Sequence, residues 1–520
     1  MMEKNKINGA ESLVKTLIDS DVDVCFTNPG TSEMHFVAAL DNNPKMRSVL
    51  CLFEGGATGA ADGYYRMKKK PASTLLHLGP GLANGLANLH NAKKANSGIV
   101  NIVGEHAIDH IKLNAPLTSD IEGIAQPVSH WVKTCKSSLE VGKNAAEAVK
   151  ESLNPPGKIA TLILPGDTAW NEGKVSLPIK KSKKNEIDNQ KIHITARELK
   201  NSKNPMILVG GEALEEKNLI LSAKIAEKFN CPIMTDFFNA KLERGAGRVK
   251  PNRIPYNVDR AINLLKDFDS IILIGAREPV AFFAYPNKPS ILTNKKTKFL
   301  YFANINDDIS EGLENLCDFV KANNNLNDKL AVSSLPTIEK GELNPNSIGS
   351  ILGNLIPDNA IIVDESISTG REFFPFTEGS RPHTWLSNCG GSIGFALPAA
   401  TGASLACPDR KVIALEGDGS GMYTLQSLWT MARENLDVTV LIFANQSYKI
   451  LHAELNNVGV MNPGPSATNM LNLNNPFLNW VTISKGMGVN SKRVFDTDEL
   501  YNTFKDALNS KGPFLIEVMI

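Results

Sequence analysis

Residues 411–448, KVIALEGDGSGMYTLQSLWTMARENLDVTVLIFANQSY, place an acid and an amide where two strands of one unit would end. The apolar run before Glu416 reads as a strand and a Gly-Asp-Gly-Ser turn follows it. A helix is expected from about Tyr423 to Asn435, and a second strand ends at Ala444-Asn445. A right-handed crossover returns the second strand parallel to the first, so Asp418 and Asn445 should leave corresponding strand ends. An Asp carboxylate, an Asn amide oxygen and the backbone carbonyl of Ser447 form a hard-oxygen set suited to octahedral Mg²⁺, with positions left for phosphate oxygens and water. Around Ser420, the glycines Gly417, Gly419 and Gly421 let backbone amides approach an anion, and the helix start behind them adds its positive dipole end. An ordinary strand-to-helix turn with a solvated aspartate would use the same residues, so both readings stand at this point.

A second group lies near the amino terminus. In Phe53-Glu54-Gly55-Gly56-Ala57-Thr58-Gly59, Glu54 stands between a buried strand and a helix of small residues. It is either an acid that shares a proton in apolar surroundings or a helix N-terminal cap. Thr31, in Asn28-Pro29-Gly30-Thr31-Ser32-Glu33, can meet a substrate carboxylate, cap a helix beginning near Glu33, or do both. His77, in Leu76-His77-Leu78-Gly79-Pro80-Gly81, ends a strand before a tight loop, where a histidine can deliver protons or serve only structure. His106 and His110 follow another strand and are either further proton donors or a solvated pair.

These residues need a scaffold of alternating strands and helices. Val22–Phe26, Val49–Phe53, Ser73–His77, Ile99–Val103 and Ile159–Leu164 read as buried strands. Met206–Val209, Ile233–Thr235 and Ser270–Ile274 follow, and then Ala360–Val363, Lys411–Leu415, Val438–Phe443 and Phe514–Met519. Lysine-rich Lys174–Asn189 and the Asn, Pro and Ser clusters of Asn323–Asn346 read as linkers. The expected fold is α/β: three consecutive open parallel-sheet domains, at residues 1–175, 190–325 and 345–520, with ligands at the carboxyl ends of the strands.

Composition narrows the function. A chain of 520 residues allows three or four domains. With 55 Lys+Arg against 55 Asp+Glu, no net field draws it to nucleic acid or an anionic membrane, which leaves a small molecule as the expected partner. Its seven cysteines form no CxxC, so neither zinc nor a disulfide framework is expected, and a reduced, cytoplasmic setting is. MMEKNKINGAESL has no apolar core behind its positive charge, so no export signal is expected. Thr384–Pro408 is without a charge, yet its glycines and Pro398 read as a turn feeding a buried helix rather than a membrane span.

The GDGS turn with its spacing to Asn445 resembles the thiamine-diphosphate signature of enzymes such as acetolactate synthase and benzoylformate decarboxylase. Ala444 replaces the first asparagine of the family's pair and leaves the ligand Asn445 in place. The resemblance runs over nearly the whole chain and implies pyrimidine-binding, central and diphosphate-binding domains in that order. It implies that Glu54 bonds the pyrimidine N1′, favouring the tautomer whose 4′-nitrogen takes the thiazolium C2 proton. Ser387–Pro398 resembles the stretch that bends the cofactor: Ile393 matches the wedge beneath it, and the Gly391 carbonyl matches the acceptor for the 4′-amine. Family members bring the glutamate from one subunit to the diphosphate domain of another, which implies a homodimer or homotetramer with sites at the interface. Thr31 falls where the decarboxylase carries a hydroxyl, and His77 where it carries a catalytic histidine, whereas Gly79-Pro80-Gly81 resembles the synthases.

Two departures stand out. The decarboxylase's second active-site histidine lies in the central block, where this chain reads Val280-Ala281-Phe282-Phe283-Ala284-Tyr285-Pro286. The synthase's glutamine and tryptophan after the metal site are replaced by Tyr448-Lys449-Ile450-Leu451-His452-Ala453-Glu454. The leading expectation is a thiamine-diphosphate- and Mg²⁺-dependent enzyme that decarboxylates a 2-oxo acid and ligates the product, like acetolactate synthase. One alternative is simple decarboxylation releasing an aldehyde. Others are a dinucleotide-binding protein, suggested by Val209-Gly210-Gly211 without a GxGxxG fingerprint, and a non-catalytic regulatory homologue. Acetolactate synthases hold a non-redox FAD against the central domain; no sequence fingerprint here supports one.

Overall fold

The computed structural model describes residues 6–520. Met1–Asn5, part of the stretch read above for an export signal, lie outside the described residues. Three sheets carry the chain. The first is parallel throughout, in the order Arg47–Leu50, Val24–Thr27, Ala72–Leu76, Ile99–Glu105, Ile159–Pro165, Trp131–Thr134. A five-stranded parallel sheet follows, ordered Asn252–Arg253, Ile233–Thr235, Pro205–Val209, Ser270–Ile274, Lys298–Ala303. Continuous apolar runs such as Ile159–Pro165 and Val438–Ala444 are buried along their whole length, as strands covered by helices on both faces must be.

The third sheet has seven strands. Asn490–Val494, Phe514–Met519, Val438–Ala444, Val412–Gly417, Ala360–Glu365 and His383–Ser387 run parallel, and Leu242–Arg244 joins the last of these antiparallel. That edge strand comes from the middle of the chain and ties the second block to the third. Trp131–Thr134, Lys298–Ala303 and His383–Ser387 are strands beyond those expected; the first and last carry only short apolar runs, whereas Phe299–Ala303 is apolar throughout. The helix expected from Tyr423 to Asn435 is shorter, Ser427–Arg433, and a separate single turn, Asp418–Gly421, precedes it.

Small residues fix how the first and third sheets meet. Helix Glu54–Lys68 crosses helix Ala396–Ala406 so closely that a Cβ on Gly63 would lie 2.0 Å from the Ala399 carbonyl oxygen, and one on Gly402 1.8 Å from that of Ala60. Only glycine permits such backbone contact. Beside the crossing, buried Arg66 pairs with Asp62 (2.6 Å), donates to the Ser387 carbonyl (2.7 Å) and the Ala240 carbonyl (3.3 Å), and lies over the Phe395 ring. One guanidinium thus fastens residues of all three blocks. No helix among the described residues is long and apolar enough to cross a membrane.

Candidate functional site

Strand register decides where the two candidate ligand segments stand relative to each other, and it puts Gly417 opposite Phe443. The chain therefore turns out of two adjacent strand ends at Asp418 and Asn445. Asp418 Oδ2 accepts the Gln446 N–H at 2.6 Å and its Oδ1 accepts that of Gly419 at 2.9 Å. Asn445 Oδ1 accepts from the Ser447 amide at 3.0 Å, and residues 446–448 are held by Leu471 and Leu473. Burial pushes the Asp418 carboxyl up to about 6, against the lowering effect of those N–H groups. A divalent cation at this carboxylate would offset that burial, and the carboxylate, amide and carbonyl oxygens present are the donors Mg²⁺ takes. Gly419 admits the Tyr448 ring against the turn, since a Cβ there would stand 2.4 Å from it.

Ser420, Gly391 and Ile393 line one cavity of about 400 Å³ at these strand ends, together with Asn388, Ser366 and Tyr448. The loop carrying Gly391 and Ile393 is gripped from two sides. Glu365, at the end of its strand, accepts N–H bonds from Gly394, Phe395 and Ala396 and from the Asn388 side chain. From the first block, Asn88 donates to the Gly394 carbonyl (3.1 Å) and Asn91 to that of Ser392 (2.8 Å). Gly391 has φ +76°, and a Cβ on it would meet the Phe282 ring at 2.9 Å. Burial pushes the Glu365 carboxyl up to about 7, and burial with the facing Glu365 raises Glu416 on the adjacent strand. Both acids stand at the carboxyl ends of apolar strands, and of the two only Glu416 is marked in the sequence reading.

Glu54, His77 and Thr31 lie elsewhere, in a second cluster, and none of them lines that cavity. Glu54 is buried at the first turn of its helix, where it caps nothing: its Oε2 accepts from the Asn84 amide at 3.0 Å. A Cβ on Gly81 would touch both Glu54 Oε1 (3.0 Å) and His77 Cβ (3.2 Å), so acid and histidine share one patch. His77 Nδ1 stands 2.9 Å from Glu33 Oε2 and 3.3 Å from Ser32 Oγ. Leu78, immediately after it, adopts φ +49°, rare outside glycine. The expected N-cap at Thr31 is corrected: Gly30 caps the 3₁₀ turn Thr31–Glu33, the Glu33 side chain takes the Gly30 N–H (2.8 Å), and Thr31 is exposed without a hydrogen bond among the described residues. Glu33 is the functional candidate that was missed, although its spacing in Gly-Thr-Ser-Glu carries a capping-box signal. The His106 and His110 rings lie tilted against each other with centroids 5.2 Å apart, and His106 Nε2 is buried without a partner among the described residues.

At Val209-Gly210-Gly211, the residues behind the dinucleotide alternative, backbones pack closely: a Cβ on Gly210 would lie 2.8 Å from the Gly275 carbonyl oxygen.

Residues 7–127 match the thiamine pyrophosphate enzyme N-terminal TPP binding domain, and residues 368–518 match the C-terminal TPP binding domain. The chain is thus a thiamine pyrophosphate enzyme. Within that class it belongs to the acetolactate synthase and benzoylformate decarboxylase family. It is 43 % identical, over 99 % of both chains, to a Mycobacterium tuberculosis H37Rv protein carrying the name acetolactate synthase large subunit IlvX. Identity to the benzoylformate decarboxylase of Pseudomonas aeruginosa is 28 % over 95 % of both. A solved structure of a Rhodococcus jostii RHA1 thiamine diphosphate-dependent 4-hydroxybenzoylformate decarboxylase superposes with a TM-score of 0.84 at 23 % identity, covering 98 % of this chain and 99 % of that one, and so shares the fold.

Proposed function

We propose that the chain decarboxylates a 2-oxo acid with thiamine diphosphate and Mg²⁺ and joins the product to a second carbonyl compound, in the manner of acetolactate synthases. The observation that carries this reading is that Asp418 and Asn445 leave adjacent strand ends, and that Ser420, two residues after Asp418, lines one cavity with Gly391 and Ile393. When bound, thiamine diphosphate supplies the nucleophilic carbon and the electron sink for loss of CO₂. Asp418, Asn445 and the Ser447 carbonyl would hold the metal, with Gly417, Gly419 and Ser420 against the diphosphate. Ile393 would support the cofactor's bend, and the Gly391 carbonyl would accept from its amine. In this assignment residues 1–175 serve the pyrimidine, 190–325 form the central domain and 345–520 serve the diphosphate.

Glu54 belongs to a cluster outside that cavity, which supports a homodimer or homotetramer in which Glu54 of one chain completes the site of another. Thr31 would meet the substrate carboxylate there. Ligation is favoured by the wall above Gly391, where Phe282 offers no proton. The His77–Glu33 pair favours the second reading, protonation and aldehyde release. Incubating the protein with thiamine diphosphate, Mg²⁺ and pyruvate, 2-oxobutyrate or an aromatic 2-oxo acid separates them. A hydroxyketone supports ligation, an aldehyde supports release, and no CO₂ from any acid refutes the proposal. The reduced thiols suit a cytoplasmic enzyme.

A further inference from the structure

Four arginines cluster where the second block meets the third. Two have structural partners: Arg244 donates to Thr377 Oγ1 (2.7 Å) and the Phe374 carbonyl (2.6 Å), and Arg248 pairs with Glu243 (2.7 Å). The guanidinium groups of Arg253 and Arg371 have neither a hydrogen bond nor an ion pair among the described residues. Aromatic faces hold them instead. The Arg253 guanidinium lies 4.2 Å from the Phe237 ring centre and 4.1 Å from that of Phe374, and Arg371 lies 4.7 Å from Tyr256. Both line the cavity that contains Ser420 and Gly391, and both line a neighbouring cavity of about 320 Å³. Acids stand near: the charges of Asp364 and Glu372 act on Arg253, Glu372 and Glu378 line the smaller cavity, and Asp364 is bonded to Ser366 and Trp385, yet none forms an ion pair with either arginine among the described residues.

Stacking fixes the plane of a guanidinium and leaves its N–H edge free, the geometry that accepts a carboxylate through two parallel bonds. A half-buried guanidinium whose N–H groups have no acceptor is costly to keep unless a ligand supplies one. The geometry points to an anion subsite: Arg253 and Arg371 take a second carboxylate, carried by the substrate, so that dicarboxylic 2-oxo acids are preferred over monocarboxylic ones. This inference rests on the reading that the reaction occurs in the adjoining cavity. Lysine at either position would keep the charge and lose the planar fork.

The test compares 2-oxoglutarate with 2-oxobutyrate in the holoenzyme, and measures glutarate and butyrate binding to the cofactor-free protein by calorimetry. The expected wild-type result is at least a tenfold preference for the dicarboxylate in kcat/KM and in affinity. Arg371→Ala should cost the dicarboxylate, mainly through KM, at least tenfold more than it costs the monocarboxylate. Arg371→Lys should fold normally and recover part of the loss. Equal losses on both acids overturn the inference. So does inorganic phosphate displacing glutarate and binding more tightly, or a loss of thiamine diphosphate affinity in Arg371→Ala that matches the loss on the acid, since the anion would then be a phosphate. Glutarate binding that depends on Arg371 in a protein that turns over no 2-oxo acid would uphold the subsite and refute the proposed reaction.

Discussion

The Nδ1 atom of His77 faces the Glu33 carboxylate at 2.9 Å, and the Glu33 side chain is almost wholly buried while His77 remains partly open. A carboxylate can only accept, so Nδ1 carries the proton and Nε2 is left free to exchange one. Glu33 is itself fixed by the Gly30 amide and the Ser32 hydroxyl. Replacing His77 by Ala should lower kcat by about 10²-fold or more, the usual loss for a proton-transfer group. Glu33→Gln should lower kcat less, leave KM for the 2-oxo acid nearly constant and alter the pH–rate profile. A profile identical to wild type would show that Glu33 serves structure alone.

Metal and cofactor should stabilise the protein together. At a hundredfold excess over Kd, a ligand specific for the folded state adds about 2.7 kcal/mol, visible as a rise in Tm. Asp418→Ala should abolish the rise, and a chelator should reverse it. Because burial holds the Asp418 carboxyl near 6, protons compete with the cation below that pH, and Mg²⁺ affinity should climb as pH passes upward through about 6. Flat affinity between pH 5 and 8 would contradict the assignment of Asp418 as a ligand.

If one chain supplies Glu54 and another supplies Asp418, two inactive variants should complement each other. Glu54→Gln and Asp418→Ala, coexpressed in equal amounts, should regain about a quarter of wild-type activity, because half the dimers are mixed and each mixed dimer has one intact site of two. No recovery in verified mixed dimers would place the two residues in the same chain's site.

His383 is buried, and desolvation with the nearby Arg244 charge drives its ionisation down to about 3. Its folded value is below the unfolded one of roughly 6.5, so the stability it contributes is complete above pH 6.5 and is lost as pH falls toward 3. At pH 5 the loss is about 2 kcal/mol, at 1.36 kcal/mol per pH unit. Denaturant titrations at pH 7 and 5 should show this difference, and His383→Asn should reduce it.

Arg66 and Asp62 form a buried pair at 2.6 Å beside the crossing of the two glycine-rich helices. Arg66→Met leaves an acid buried without its partner and should cost about 3–5 kcal/mol. The midpoint of denaturant unfolding is the measure, and a shift below 1 kcal/mol would refute the role of this clamp.

Local chemistry was legible in the chain itself. The strand before Glu416, the glycine-lined turn at Asp418 and the strand reaching Ala444 depend on short-range patterns: apolar runs, glycine where backbone must come close, and the handedness of one crossover. The small-residue helix after Glu54 was equally plain, although its glycines do more than surround the acid, since they admit the backbone of Ala396–Ala406. What the chain could not show is which distant segments meet. Glu33 finds His77, Asn88 and Asn91 grip the loop around Gly391, Arg66 reaches Ser387, and strand Leu242–Arg244 joins a sheet built from residues far beyond it. Those contacts join side chains tens to hundreds of positions apart, and they exist only because packing of the apolar faces brings the three sheets together. For the same reason the absence of Glu54 from the lining of the Ser420 cavity is a property of the folded chain, not of either motif.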